Sequence, residues 1–412
     1  MKKTDKKTSF PKNKIEIVLL EGIHPLAVGN FQAETFQVDS RPKKALGEEL
    51  AALLESAHVV GIRSGTKVTR DALDAQKRLL AIGCFCIGTD QVDLEAAAEK
   101  GIPVFNAPYA STRSVAEMVI AEAVMLLRRT FEKSAMVHAG MWPKSAESSF
   151  ELRGKTLGII GYGHIGSQVS VLAESMGMRV LFHDTAEVMP LGNAQKAEGL
   201  NGLMRNSDVV TLHVPADETT RDMIDAEALS HMKDGAYLIN ASRGSVVVIE
   251  ALAEALRQGR LAGAAVDVFP KEPASPGHEF SSPLRGVPNV ILTPHVGGST
   301  LEAQASIARD VSSKIIRYIN NGSSTSAVNF PEVDLPVQEA ANRILHIHHD
   351  VPGVLTAVNT ILSGAGLNIQ GQYLRTRGQI GYLVMDIDPK PPLAVIEALR
   401  NLEHTIRIRQ LY

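Results

Sequence analysis

Thr156–Gly166 reads TLGIIGYGHIG, an apolar strand-like run entering Gly161-x-Gly163-x-x-Gly166, after which SQVSVLAESMG carries helical spacing. In that setting the first glycine permits a tight turn and the second lets a pyrophosphate approach the backbone. The third allows close helix–strand packing, and the helix N-terminus faces the phosphates. A glycine-rich turn alone is weak evidence, so the end of the following strand matters. RVLFHD closes on Asp184, 18 residues past Gly166 (184 − 166). A carboxylate there can bond both ribose hydroxyls and repels a 2′-phosphate, which selects NAD over NADP. A purely structural turn with no ligand is the competing reading.

Outward from this turn the chain alternates apolar runs and amphipathic segments. Before it, IEIVLL, AHVVGIRS, LLAIGCFC and GIPVFNAP read as strands, with GEELAALLESA and VDLEAAAEK as helices. After it, RVLFHD, DVVTLHV, AYLINAS, GAAVDVF and NVILTPH read as buried strands. The pattern predicts two α/β units with parallel sheets. A long helix from Val115, VAEMVIAEAVMLLRR, leads between them into MWPKSAESSFELRGK, a boundary or exposed arm. Beyond His295, LEAQASIARDVSSKIIRYINNG is helical, and SSTSAVNFPEVDLPVQEAAN has the polarity of a linker. The remainder runs strand, helix, strand, strand, helix, strand, the ferredoxin-like βαββαβ order.

The bulk properties exclude several classes. Of 412 residues, 44% are apolar, and 42 basic against 45 acidic side chains leave a net charge of −3, with no broad cationic field for nucleic acid or anionic membrane. The lysine-rich opening MKKTDKKTSFPKNK precedes an apolar run too short for a signal core or a membrane span. Residues 1–14 are therefore expected to be a disordered tail on a cytoplasmic protein. Cys84 and Cys86 are too close for an ordinary disulfide and lack the second pair a zinc site needs, so reduced thiols buried on a strand are expected. His346 and His348 share a strand face in HIHHD, but no further ligand completes a metal set.

Three polar residues fall at strand ends: Arg243 in LINASRGS, Glu272 in VDVFPKEP and His295 in LTPHVGG. Carboxyl ends of parallel strands are where open α/β sheets place ligands. An arginine fork holds a carboxylate, a histidine exchanges a proton near neutral pH, and a carboxylate beside the imidazole orients it and favours its charged form. Singly, these are a surface arginine, a loop glutamate and a histidine capping a turn. Together at matching sheet ends they point to hydride transfer, with the glycines after His295 leaving room for a nicotinamide.

The ordered set GYGHIG, LINASRG, DVFPKEP and LTPHVGGST resembles the D-isomer-specific 2-hydroxyacid dehydrogenases. AIGCFCIGTDQVDLEAAAEKGIPVFNAP and GIIGYGHIGSQVSVLAESMGM extend the likeness to the bacterial, phosphoglycerate-oxidising branch, from about Ile15 to Tyr412. The resemblance implies a Rossmann-type NAD-binding domain, residues 111–295, inserted in a flavodoxin-like substrate domain, residues 1–110 and 296–330. A linker, 331–341, and a ferredoxin-like ACT domain, 342–412, follow. It implies NAD-dependent oxidation of 3-phospho-D-glycerate to 3-phosphohydroxypyruvate, the first committed step of L-serine biosynthesis, by a homotetramer that L-serine inhibits. A dehydrogenase for another 2-hydroxy acid such as 2-hydroxyglutarate is the nearer alternative, and a non-catalytic NAD-sensing protein the more distant one.

Roles follow by the same resemblance. His295 would move the proton, paired with Glu272, and Arg243 would hold the substrate carboxylate and carbonyl oxygen. Gly161, Gly163, His164, Ile165 and Gly166 would face the pyrophosphate and Asp184 the ribose. Ala241, Ser242, Asp267, Val296, Gly297 and Gly298 would line the nicotinamide side. Arg63 would meet the phosphate, and Asn106, Ser111 and Thr112 belong to the substrate loop. Lys144 would reach a neighbouring subunit's site. His348, Asp350 and Asn368 would bind L-serine. Three positions depart from the pattern: Gly65 replaces a second arginine, Asp350 an asparagine, and Glu339-Ala340-Ala341 a hinge glycine pair.

Overall fold

Apolar runs of four to six residues between amphipathic helices bury both faces of a parallel strand, and the chain uses this arrangement twice. The first sheet holds β1 (Glu16–Leu19), β2 (Gln37–Ser40), β3 (Val59–Ile62), β4 (Ala81–Cys84) and β5 (Val104–Asn106), in the order β2-β1-β3-β4-β5, all parallel. The second holds β6 (Thr156–Ile160), β7 (Arg179–His183), β8 (Gln195–Lys196), β9 (Val209–Leu212), β10 (Ala236–Asn240), β11 (Leu261–Val266) and β12 (Val290–Leu292). Its order, β12-β11-β10-β9-β6-β7-β8, is the doubly wound nucleotide-binding topology, with the direction of winding reversing between β6 and β9. The third sheet is antiparallel: β13 (Asn342–His349), β14 (Asn368–Arg377), β15 (Ile380–Asp388) and β16 (Thr405–Leu411), in the order β14-β15-β13-β16.

This computed structural model describes residues 11–74, 76, 78–273, 277, 279–336 and 342–411. They fall into two compact units, one from residues 1–110 with 304–412 and the other from 111–303. The hinge positions Glu339-Ala340-Ala341 and most of the lysine-rich opening lie outside the described residues.

Two strands escape a reading by apolar runs. β2 is exposed along most of its length and β8 is a two-residue edge strand, so neither carries a hydrophobic signal. The helix Thr112–Arg128 starts earlier than its apolar spacing suggests, and Arg129 at φ 53° turns the chain into a second helix, Thr130–His138. Cys84 is buried on β4, but Cys86 lies past the strand end and is half-buried, so only one thiol sits as expected; both are free.

The polar segment after Gly322 is packed rather than loose. Phe330, Val333 and Leu335 enter the core of the first unit, and the Ser324 hydroxyl donates to the Pro331 carbonyl and accepts from the Val333 amide. In the third sheet β13 and β15 are covered on both faces. Ile344, Leu383, Met385 and Ile387 face the helices Val354–Gly364 and Leu393–Arg400, while Leu345, Ile347, Tyr382 and Val384 join the core around Ile315 and Tyr318. Polar bonds fasten that second face: Tyr382 donates to the Gly322 carbonyl at 2.6 Å, Arg407 to Leu79 at 2.5 Å and Arg409 to Ile319 at 3.2 Å. Arg343, 4% exposed, forks onto the fully buried Asp386 at 2.7 and 2.9 Å. Asp386→Ala leaves that guanidinium buried without its partner and is expected to lower stability by about 3–5 kcal/mol in urea unfolding, against a smaller loss for Asp386→Asn.

Candidate active site

The fingerprint turn leaves β6 at Gly161, whose φ of 90° excludes side chains, and a Cβ there would lie 2.4 Å from the His213 carbonyl at the end of β9. Gly163 begins the helix His164–Ser175, and a Cβ built on it meets nothing within 4 Å. Gly166 lies against the turn, with its missing Cβ 2.1 Å from the Gly161 carbonyl oxygen. One glycine thus serves the turn, one leaves the approach open and one serves packing, which is the division of labour a dinucleotide site requires. At the end of β7 the Asp184 carboxylate accepts the Tyr162 amide at 2.7 Å and the Ala186 amide at 2.8 Å, so its position is set before any ligand arrives. His164 is exposed and Ile165 half-buried beside Gly163.

Beyond β10, Asn240 organises the loop that carries Ala241, Ser242 and Arg243. It is fully buried, accepts the Ser242 amide and hydroxyl at 3.1 and 2.8 Å, and donates to the Arg243 carbonyl at 3.1 Å. Gly244 then passes so close to Phe269 that a Cβ would stand 2.1 Å from its carbonyl. Asn240 escaped the sequence reading; its signal is an amide side chain ending an otherwise apolar strand, AYLIN.

The turn after β12 hangs on Asp267. This carboxylate, 1% exposed, accepts the Thr293 hydroxyl at 2.6 Å and the Val296 amide at 2.8 Å on one oxygen, and the Gly297 amide at 2.9 Å on the other. The His295 amide adds a bond to the Asp267 carbonyl at 2.8 Å. The turn forces His295 to φ 54°, a left-handed conformation that a histidine adopts at a cost. Gly297 and Gly298 have a structural reason distinct from ligand access: Cβ atoms there would crowd Asp267 at 3.1 Å and Ser111 at 3.2 Å.

Held in this way, His295 places Nδ1 3.0 Å from both Glu272 carboxylate oxygens, and the two side chains remain 48% and 38% exposed. The Glu272 hydrogen bond is the largest influence on His295; with the charges of Glu272 and Asp267 it overrides burial and the Arg243 charge, raising the imidazole above its ordinary 6.5. Burial pushes Glu272 upward, but the His295 bond and charge, the Phe269 amide and the Arg243 charge outweigh it and hold the carboxyl below its usual range. Arg243 acts electrostatically on both partners, so the structure brings all three residues together. A carboxylate on Nδ1 leaves Nε2 as the nitrogen that meets a reacting oxygen.

A further acid was not anticipated. Glu122 is 1% exposed in the helix Thr112–Arg128, and neither carboxyl oxygen has a partner among the described residues. Burial, with the Asp267 charge behind it, pushes it up to about 8. Its signal was an acid on the buried face of an apolar helix.

The remaining candidates are dispersed. Ser111 and Thr112 are buried at the helix start, and Lys144 is exposed beside Trp142, which is 79% exposed. In the other unit, Arg63 follows β3, and Asn106 ends β5 with its amide on the Ile87 carbonyl at 2.6 Å. His348 faces the covered interior: it is 2% exposed, its ring centroid is 5.1 Å from that of His346, and Nδ1 lies 2.9 Å from the His349 carbonyl. Asp350 and Asn368 are exposed, so within one chain these three do not share an open site.

Residues 120–297 match the D-isomer specific 2-hydroxyacid dehydrogenase NAD binding domain, and residues 344–407 the AHAS small subunit-like ACT domain. The chain is 52% identical to D-3-phosphoglycerate dehydrogenase of Escherichia coli K12 over 98% of its own length and 100% of that protein's, and 50% identical to the Haemophilus influenzae protein of the same name over 98% and 99%.

The chain belongs to the D-isomer specific 2-hydroxyacid dehydrogenases.

Within that family it stands with the D-3-phosphoglycerate dehydrogenases. A crystal structure of D-lactate dehydrogenase from Aquifex aeolicus with NAD and lactic acid superposes with a TM-score of 0.65 at 28% identity, covering 74% of this chain and 95% of that one. As a member of this family the chain is an NAD-dependent oxidoreductase, and its open approach at Gly163 and preset Asp184 fit that cofactor. Gly163→Ala adds a methyl that touches nothing in the chain, so it should leave the melting temperature unchanged while weakening NADH binding by about tenfold or more in a fluorescence titration. Gly166→Ala should lower both.

Proposed function

We propose that this protein oxidises 3-phospho-D-glycerate to 3-phosphohydroxypyruvate, the committed step toward L-serine. The observation that carries this reading is the His295–Glu272 pair with Arg243 beside it, in a chain half identical, end to end, to D-3-phosphoglycerate dehydrogenases. NAD, when bound, accepts the hydride. Asp184 anchors its ribose and disfavours a 2′-phosphate, while Gly163 and the start of the following helix receive the pyrophosphate.

Arg243 forks onto the substrate carboxylate and carbonyl oxygen. His295 Nε2 removes the hydroxyl proton as the hydride leaves, and the Glu272 carboxylate stabilises the resulting imidazolium. In the reverse direction the protonated imidazole returns that proton. Arg63, with Lys67 near it in sequence, answers the phosphate at the far end of the substrate. Loss of the second arginine at Gly65 favours weaker phosphate binding and keeps a dicarboxylate such as 2-hydroxyglutarate as the competing substrate.

Exposed apolar side chains support self-association as a homotetramer. The helix Thr130–His138 buries none of its residues, and Phe131, Val137, Met141, Trp142 and Phe150 are 45–79% exposed. Such a contact would carry Lys144 to a neighbouring subunit. The ACT module supports feedback by L-serine, with Asp350 and Asn368 exposed and His348 buried. No helix among the described residues is long and apolar enough to cross a membrane.

A steady-state assay of the purified protein with 3-phospho-D-glycerate and NAD, with the product trapped, tests the reading; no NADH formation would refute it. His295→Ala should lower kcat by about 10²–10⁴ while NADH still binds. Oxidation needs the neutral imidazole, so its kcat/KM should rise with pH through a pKa above 6.5, and reduction should fall over the same range. Glu272→Gln removes the bond and charge that raise His295, so the same limb should move to lower pH.

A further inference from the structure

In the five-stranded sheet the strand order reverses between β1 and β3, the place where open α/β sheets of this order receive ligands. The loop carrying Arg63 leaves β3 at that point. Its backbone is held by a residue from the end of β1. Glu21 Oε1 accepts the amides of Arg63 at 3.1 Å and Thr66 at 2.9 Å, and Oε2 accepts the amide of Gly65 at 2.8 Å. Glu21 has a φ of 62°, unfavourable for a residue with a Cβ, and its own amide is tied to the Lys43 carbonyl at 3.1 Å. On the opposite side the Gln91 amide donates to the Arg63 carbonyl at 2.9 Å, so Arg63 is pinned at both backbone groups.

We propose that Glu21 is a positioning residue: by filling the ring of amides at 63–66 it presents the Arg63 guanidinium to the substrate's phosphate. The proposal rests on the reading of Arg63 given above. Converging backbone amides form an anion nest. Here a carboxylate of the chain itself occupies the nest, so the phosphate is met by the arginine side chain and not by the loop backbone. Gly65 belongs to the same device, since a Cβ at that position would lie 2.9 Å from Glu21 Oε2 and press on the seated carboxylate. A left-handed glutamate with its carboxylate on three amides of one loop is a costly way to close a turn, and backbone strain of this kind gathers where geometry serves a ligand. Its effect should appear in binding, because a loop fixed beforehand need not be ordered when substrate arrives.

The test compares kinetics with 3-phospho-D-glycerate and with D-glycerate, the same acid without its phosphate, used as substrate or as competitive inhibitor. Glu21→Ala should raise KM for the phosphorylated acid about tenfold with kcat within about twofold, leaving KM for NAD and the constants for D-glycerate nearly unchanged. Glu21→Gln, which keeps one acceptor oxygen and the side-chain shape, should fall between. In an Arg63→Ala background, Glu21→Ala should add nothing further. Equal losses with both acids, or full additivity with Arg63→Ala, would reduce Glu21 to a structural cap and overturn the proposal. If Arg63→Ala itself leaves the phosphoglycerate KM unchanged, the assignment of Arg63 to the phosphate fails, and this role with it. Loss of KM in Arg63→Ala but not in Glu21→Ala would sink the positioning role alone.

Discussion

The Asp267 carboxylate is the constraint on which the proposed chemistry depends. Buried at the end of β11, it accepts three donors from the segment 293–297 and closes a turn that would not otherwise hold a histidine in the left-handed region. The turn puts the imidazole against Glu272 and leaves its other nitrogen open. Charge-assisted bonds to a buried carboxylate are among the stronger polar contacts in a protein, which is how the strain at His295 is sustained. Glu122, buried in the helix Thr112–Arg128, is the counterpart: burial first, and the Asp267 charge second, favour its neutral form.

The two parallel sheets repeat one solution. In each, strand order reverses beside the first strand, and the proposed functional groups emerge at the carboxyl ends around that reversal: Gly161 and Gly163 from β6, and Glu21 with the Arg63 loop from β1 and β3. A carboxylate of the chain braces a loop in both sheets, Asp267 in one and Glu21 in the other. Both loops are thereby held by hydrogen bonds within the chain itself.

The antiparallel sheet adds a different physical situation. Sheets of this kind often leave one face to solvent, yet here both faces of β13 and β15 are buried. One face takes its own helices. The other joins the core of the unit that carries Arg63, with Arg407, Arg409 and Tyr382 bonded to main-chain carbonyls across the contact. The segment after Gly322 is part of this packing, because its alternating Phe330, Val333 and Leu335 have an apolar surface to enter. Its serine and proline content gave no sign of that surface, which is assembled from distant stretches of chain.

The sequence by itself determined the α/β alternation, the βαββαβ terminus and the identity of the dinucleotide turn, since these follow from local periodicity and from glycines whose necessity is short-range. It also singled out Arg243, Glu272 and His295 as chemically apt groups at strand ends. Only the tertiary structure decided that these three converge, that Asp267 and Asn240 hold their loops, and that Glu21 seats the Arg63 loop from 42 residues away. The same holds for β2, an exposed strand recognisable only by its partner, and for His348, whose burial comes from the sheet around it. Hydrogen bonds between residues far apart in sequence leave no periodic trace in it, so groups that position a site by such bonds become visible only when the chain has folded.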